Sequence, residues 1–92
     1  MYLPLGGDMA VREAALIGIF DLDHTTASQK TRQFLYEAEK NGETVATSQE
    51  LPKSFVLTAE YGMQKIYLSQ FNSMTLEKRM KSRSNRNDHE RI

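Results

Sequence analysis

Apolar and polar positions along the chain change period several times, and each change marks an element. Tyr2-Leu3-Pro4-Leu5 reads as a short strand, and Pro4 suits an edge because it has no amide proton to give to a ladder. Gly6-Gly7-Asp8 makes a turn, since paired glycines supply positive φ without steric cost. Met9-Ala10-Val11-Arg12 is a weak second strand, and Glu13-Ala14-Ala15 fits either a turn or a single helical turn. Leu16 to Asp21 carries the strongest strand signal. Its continuous apolar run predicts burial on both faces or at a subunit contact.

The period then becomes helical. Thr26 and Gln29 fit a capping box, in which each side chain satisfies a free N–H of the first turn. Ala27, Thr31, Phe34, Leu35 and Ala38 recur as one apolar stripe, with Lys30, Arg32, Gln33, Glu37 and Lys40 largely outside it. Asn41-Gly42 ends this helix, giving a span of roughly 27 to 41. Three strands follow: Glu43–Thr47, Ser54–Thr58 and Lys65–Ser69. Tyr61-Gly62-Met63-Gln64 joins the last two as a predicted antiparallel hairpin. Ser73 is the expected cap of a second helix from Met74 to about Arg83, with Leu76 and Met80 on one face. The order of elements lacks the alternation that builds a parallel sheet. The expected fold is therefore α+β: a small, largely antiparallel sheet of five to six short strands, one central helix packed through Phe34 and Leu35, and a C-terminal helix. Residues 1–83 form the domain, and 84–92 read as a disordered basic and polar tail.

Size and composition narrow the function. Ninety-two residues make one domain, and a chain this short buries only about 60–65% of the surface its unfolded form exposes. Partner subunits would help its core. With no Cys there is no disulfide framework or thiolate metal site. No apolar run reaches the roughly 18 residues of a membrane span, and the N-terminus lacks the basic and apolar regions of a signal peptide. A cytoplasmic location is expected, with no membrane partner. Formal net charge is zero, but six Lys/Arg stand against nine Asp/Glu in residues 1–73, and six against three in residues 74–92. A basic tail thus follows a mildly acidic body.

Ile17-Gly18-Ile19-Phe20-Asp21-Leu22-Asp23-His24-Thr25 also looks like the first motif of dehalogenase-type phosphatases, where the first Asp is the nucleophile and the second the acid/base. That chemistry needs a parallel sheet, a downstream Lys on the phosphoryl oxygens and a later acidic pair for Mg²⁺. No Asp occurs between Asp23 and Asp88, and the later Glu residues are isolated. Asp21 and Asp23 therefore read as turn residues near a helix N-terminus. His24 and His89 are lone histidines, and no His or Lys is placed to activate a Ser, Thr or Tyr. No catalytic residue, cofactor or metal is expected.

The whole pattern is similar to one small bacterial family. The Met1-Tyr2-Leu3-x-Leu5-Gly6 start, the Ile17–Asp21 strand, the capped helix, Leu51–Thr58 and Ile66–Ser69 running through Thr75–Arg79 carry the likeness in order and spacing. The chain resembles the extracellular-matrix regulators RemA and RemB of spore-forming Gram-positive bacteria, nearer to the RemB branch, over residues 1 to about 81. The resemblance implies a non-catalytic regulator of biofilm-matrix genes that binds DNA as a ring-shaped homo-oligomer through phosphate contacts and DNA shape. A ring would cover the apolar strand formed by Leu16, Ile17, Ile19 and Phe20.

One departure stands out. RemA-type regulators carry an adjacent Arg pair in the loop before the Phe55 strand, where this chain has Gln49-Glu50-Leu51-Pro52-Lys53. Lys53 is then that loop's only cation. Lys30 and Arg32 on the first helix, and Lys78, Arg79, Lys81, Arg83 and Arg86 near the C-terminus, are the other candidate phosphate contacts. An alternative follows from the lost Arg pair and the neutral net charge: an interaction module that does not bind DNA but assembles with itself or modulates a RemA-like partner.

Overall fold

The computed structural model describes residues 1–22 and 29–80 of the chain. They form β1 (Tyr2–Gly6), β2 (Met9–Arg12), a single 3-10 turn (Glu13–Ala15), β3 (Leu16–Asp21), α1 (Gln29–Lys40), β4 (Thr44–Ala46), β5 (Ser54–Glu60), β6 (Met63–Ser69) and α2 (73–80). The α+β class is as expected, but the strands make two sheets rather than one. β1 and β2 form an antiparallel hairpin, and the other four strands lie in the order β3-β5-β6-β4. In the larger sheet β3–β5 and β5–β6 are antiparallel, whereas β4 runs parallel to β6. The parallel pair arises because β3 and β4 occupy opposite edges, so the chain crosses one face of the sheet between them and returns in the same direction as β6.

Local chemistry fixes the turns. Gly7 sits at φ 56°, and a Cβ there would lie 2.7 Å from the carbonyl oxygen of Thr47, so both conformation and space call for glycine. The β5–β6 connection is two residues long, shorter than the predicted four: Glu60 pairs with Met63, while Tyr61 and Gly62 take φ 55° and 75°. Consecutive positive φ values are those of a type I′ hairpin turn, whose twist matches its strands. α1 closes as expected at Gly42 (φ 71°). There the Gly42 N–H donates to Glu39 O at 3.1 Å and the Glu43 N–H to Ala38 O at 2.9 Å, the two bonds of a Schellman cap. The predicted start of this helix, with Thr26 and Ala27, lies outside the described residues. The cap of α2 is Asn72 rather than Ser73: Asn72 Oδ1 accepts the Thr75 N–H at 2.8 Å.

Alternation along the strands gives the larger sheet two different faces. On one, Val56 joins Leu3, Leu5 and Val11 of the hairpin and Leu76 of α2 in a fully buried cluster, with Leu16, Ile19, Tyr67, Phe71 and Met80 packed around it. On the other, Phe55 and Ile66 meet Ala38 of α1, flanked by Leu22, Leu35, Leu57 and Leu68. Hydroxyls tie the layers together: Ser69 Oγ donates to Leu5 O at 2.6 Å and accepts the Phe71 N–H at 3.1 Å, and Ser54 Oγ donates to Phe71 O at 2.7 Å. These buried groups are paired, as low-dielectric interiors require.

Of the two expectations for β3, burial on both faces or at a subunit contact, the first does not hold within the chain. The strand lies at the sheet edge, and its register slips between Leu16 and Gly18, which face Thr58 and Leu57. Ile17 is the extra residue of this bulge. It is 59% exposed.

Candidate nucleic-acid interface

The candidate cations fall on different layers. Lys53 is exposed on a loop whose backbone is held at both sides: its N–H donates to Ser69 O at 2.8 Å, and its carbonyl accepts the Leu22 N–H at 2.9 Å. Within the loop the Ser48 hydroxyl accepts the Glu50 N–H at 3.0 Å. Lys30 and Arg32 are exposed on α1 and line a shallow trough with Gln29, Gln33 and Tyr36. Lys78 is exposed on α2, which packs on the opposite face of the sheet through Leu76. A single subunit therefore does not gather Lys30, Arg32 and Lys78 into one patch. Lys81, Arg83, Arg86 and His89 lie outside the described residues.

Arg79 differs from the others. Its guanidinium lies 4.3 Å from the centre of the Phe71 ring, and Nη1 donates to Pro4 O at 3.3 Å. Pro4 sits in β1, so Arg79 clamps α2 to the hairpin, combining a cation–π contact with a hydrogen bond. Arg12 is likewise engaged, paired with Glu60 and donating to the Tyr61 hydroxyl at 3.4 Å. Glu60 first, and then Tyr61, push its pKa further up. It stays a cation, neutralised locally.

The expected interface strand divides too. Leu16 and Ile19 pack into the subunit's own core, whereas Ile17 and Phe20 are 59% and 37% exposed. Phe20 stacks on Phe55 with ring centres 4.9 Å apart and planes 19° from parallel. Among the described residues the outer edge of β3 has no strand partner, leaving a row of backbone groups beside apolar side chains.

Two features escaped the sequence reading. One is an apolar cleft of about 280 Å³ between α1 and the β3–β5 edge, lined by Phe20, Lys30, Thr31, Phe34, Phe55 and Leu57. The other is Leu51, 88% exposed in the Lys53 loop. The available signal was a lone Leu in a polar stretch, outside any apolar period.

Asp21, the would-be nucleophile, pairs with Ser54 at the end of the edge strand β3, while Asp23 and His24 lie outside the described residues. Among the described residues no three His, Cys, Asp or Glu side chains group as metal ligands, and no helix is long and apolar enough to cross a membrane. No family model matches the chain, and no curated protein matches it.

Proposed function

We propose that this protein is a cytoplasmic, oligomeric DNA-binding regulator of extracellular-matrix genes, as its resemblance to the RemA and RemB regulators implies. The observation that carries the assembly part is the apolar edge strand β3, whose outer edge has no strand partner among the described residues and which presents Ile17 at 59% exposure. Soluble proteins guard such edges, and a second copy is the simplest guard. Assembly in turn supports DNA binding. One exposed Lys53 is a weak phosphate contact, but a closed ring repeats it once per subunit, and tethered weak contacts add through effective concentration. Lys78, Lys81 and Arg83 are next in line; Lys30 and Arg32 belong to a separate layer, and Arg79 acts mainly as the clamp on α2.

The proposal contains no catalysis. Asp21 ends an edge strand of a mostly antiparallel sheet, and dehalogenase-type phosphoryl transfer works from a parallel one.

Anisotropy of a labelled duplex of a few tens of base pairs tests the reading. Binding at about 50 mM salt should weaken steeply by about 200 mM, with a log–log slope near one per phosphate neutralised. An oligomer that leaves the duplex free at micromolar concentration and low salt would overturn it. The chain would then be a module that modulates a RemA-like partner, a reading favoured by Glu50 standing beside the loop's only cation and by the engagement of Arg79 inside the fold.

A further inference from the structure

Packing among the described residues neither fills the apolar cleft nor covers Leu51. The cleft is walled by Phe20, Phe34, Phe55 and Leu57, and among the described residues the only charged side chain lining it is Lys30. The loop is its chemical complement. Leu51 is 88% exposed, yet it does not hang on a loose chain: the Glu50 N–H is bonded to Ser48 Oγ at 3.0 Å, and Lys53 is bonded to Ser69 and Leu22. The residue beside this apolar knob is an exposed acid, Glu50. A single exposed Leu is ordinary by itself; what singles out Leu51 is that it stands on an anchored loop next to an acid, matching an apolar cleft that has a base at its rim.

We propose that Leu51 of one copy of this chain inserts into the Phe20/Phe34/Phe55/Leu57 cleft of a second copy, with Glu50 pairing to Lys30 of the receiving copy at the rim. Two independent matches select a second copy as the occupant: apolar knob to apolar cleft, and acid to base beside it. A small apolar ligand would satisfy the cleft but leave Leu51 in water. Each copy carries both the loop and the cleft, so the contact can repeat head-to-tail from copy to copy, as a ring requires. The cleft adjoins the β3 edge through Phe20, so the docked loop would also shield that edge. This inference rests on the self-assembly part of the reading above; it sets Lys53 beside the contact and takes Lys30 out of the candidate phosphate contacts.

The chain has no Cys, which makes cross-linking clean. Leu51→Cys and Phe34→Cys proteins, prepared separately and mixed, should give a covalent dimer with a short bis-maleimide well above the yield of either alone. Equal yields would overturn the docking. Leu51→Asp should leave the circular dichroism spectrum of the folded chain unchanged and weaken association roughly ten- to hundredfold, the effect of losing one buried Leu from a contact. Glu50→Lys should weaken it as well, and Glu50→Lys with Lys30→Glu should restore it. A wild-type chain that stays monomeric defeats the assembly reading itself. A wild-type oligomer indifferent to Leu51→Asp, without mixed cross-links, defeats only this contact.

Discussion

The two faces of the four-stranded sheet are finished to different degrees. Against the hairpin and α2, Leu3, Leu5, Val56 and Leu76 are wholly buried, and hydroxyl groups of Ser54 and Ser69 tie neighbouring backbone into the same layer. Against α1, three residues form the buried centre, Phe34 and Phe20 remain about one-third exposed, and a cleft stays open beside the β3 edge. A short chain lacks the apolar surface to close both faces. Among the described residues one face is closed and the other is not, and the docking proposed above would complete it with a second copy. Stability and assembly should therefore respond to substitutions on opposite sides of one sheet.

The largest effect should come from the closed face. Leu76→Ala removes a wholly buried side chain and should cost about 2–5 kcal/mol in denaturant titration. Loss of only a few tenths would mean that this face is as loosely packed as the other. Gly7→Val comes next. A β-branched residue at φ 56° facing the Thr47 carbonyl at 2.7 Å should destabilise by about 1–3 kcal/mol.

Arg79 sharpens the comparison further, because a charge on the closed face should serve packing. Arg79→Lys keeps the charge but loses the planar stack on Phe71 and the reach to Pro4. It should lower stability by about 1 kcal/mol, much as Arg79→Ala does. The exposed neighbour should behave oppositely: Lys78→Ala should leave stability within about 0.5 kcal/mol and reduce the salt slope of duplex binding by about one. Loss of DNA affinity with Arg79→Ala but not with Arg79→Lys, stability being unchanged in both, would mark Arg79 as a phosphate contact instead. The smallest stability effect is expected on the open side. Ile17→Ser alters a bulge residue that is 59% exposed, so unfolding measured at dissociating dilution should shift by no more than about 0.5 kcal/mol, while the proposed self-association should weaken in sedimentation.

Much of this division was not legible in the chain's letters. The bounds of β3, the interiors of β5 and β6, and the Gly42 cap follow from apolar runs and a glycine, which act over a few neighbouring residues. The three-residue β4 is too short to announce that it pairs in parallel with β6, and nothing local says that Tyr2–Arg12 folds over the sheet instead of joining it. Asn72 and Ser73 are both good caps, and only the geometry of the turn selects the amide oxygen. The continuous run Leu16–Phe20 reads as buried on both faces or at a subunit contact, because a bulge at Ile17 leaves no trace in composition. For the candidate site, sequence supplies the cations but not their layer. Lys78 and Arg79 are adjacent, yet one faces water and the other clamps a helix, since successive helical positions point about 100° apart.

Light-scattering mass of the full chain across a micromolar concentration series, without DNA, decides whether the open face is finished by another copy. The asymmetry between the faces predicts a discrete multiple of the 10.5 kDa subunit that persists on dilution into the low micromolar range. A mass that stays at one subunit throughout would contradict it, and would leave the cleft, the β3 edge and Leu51 without the partner argued for them.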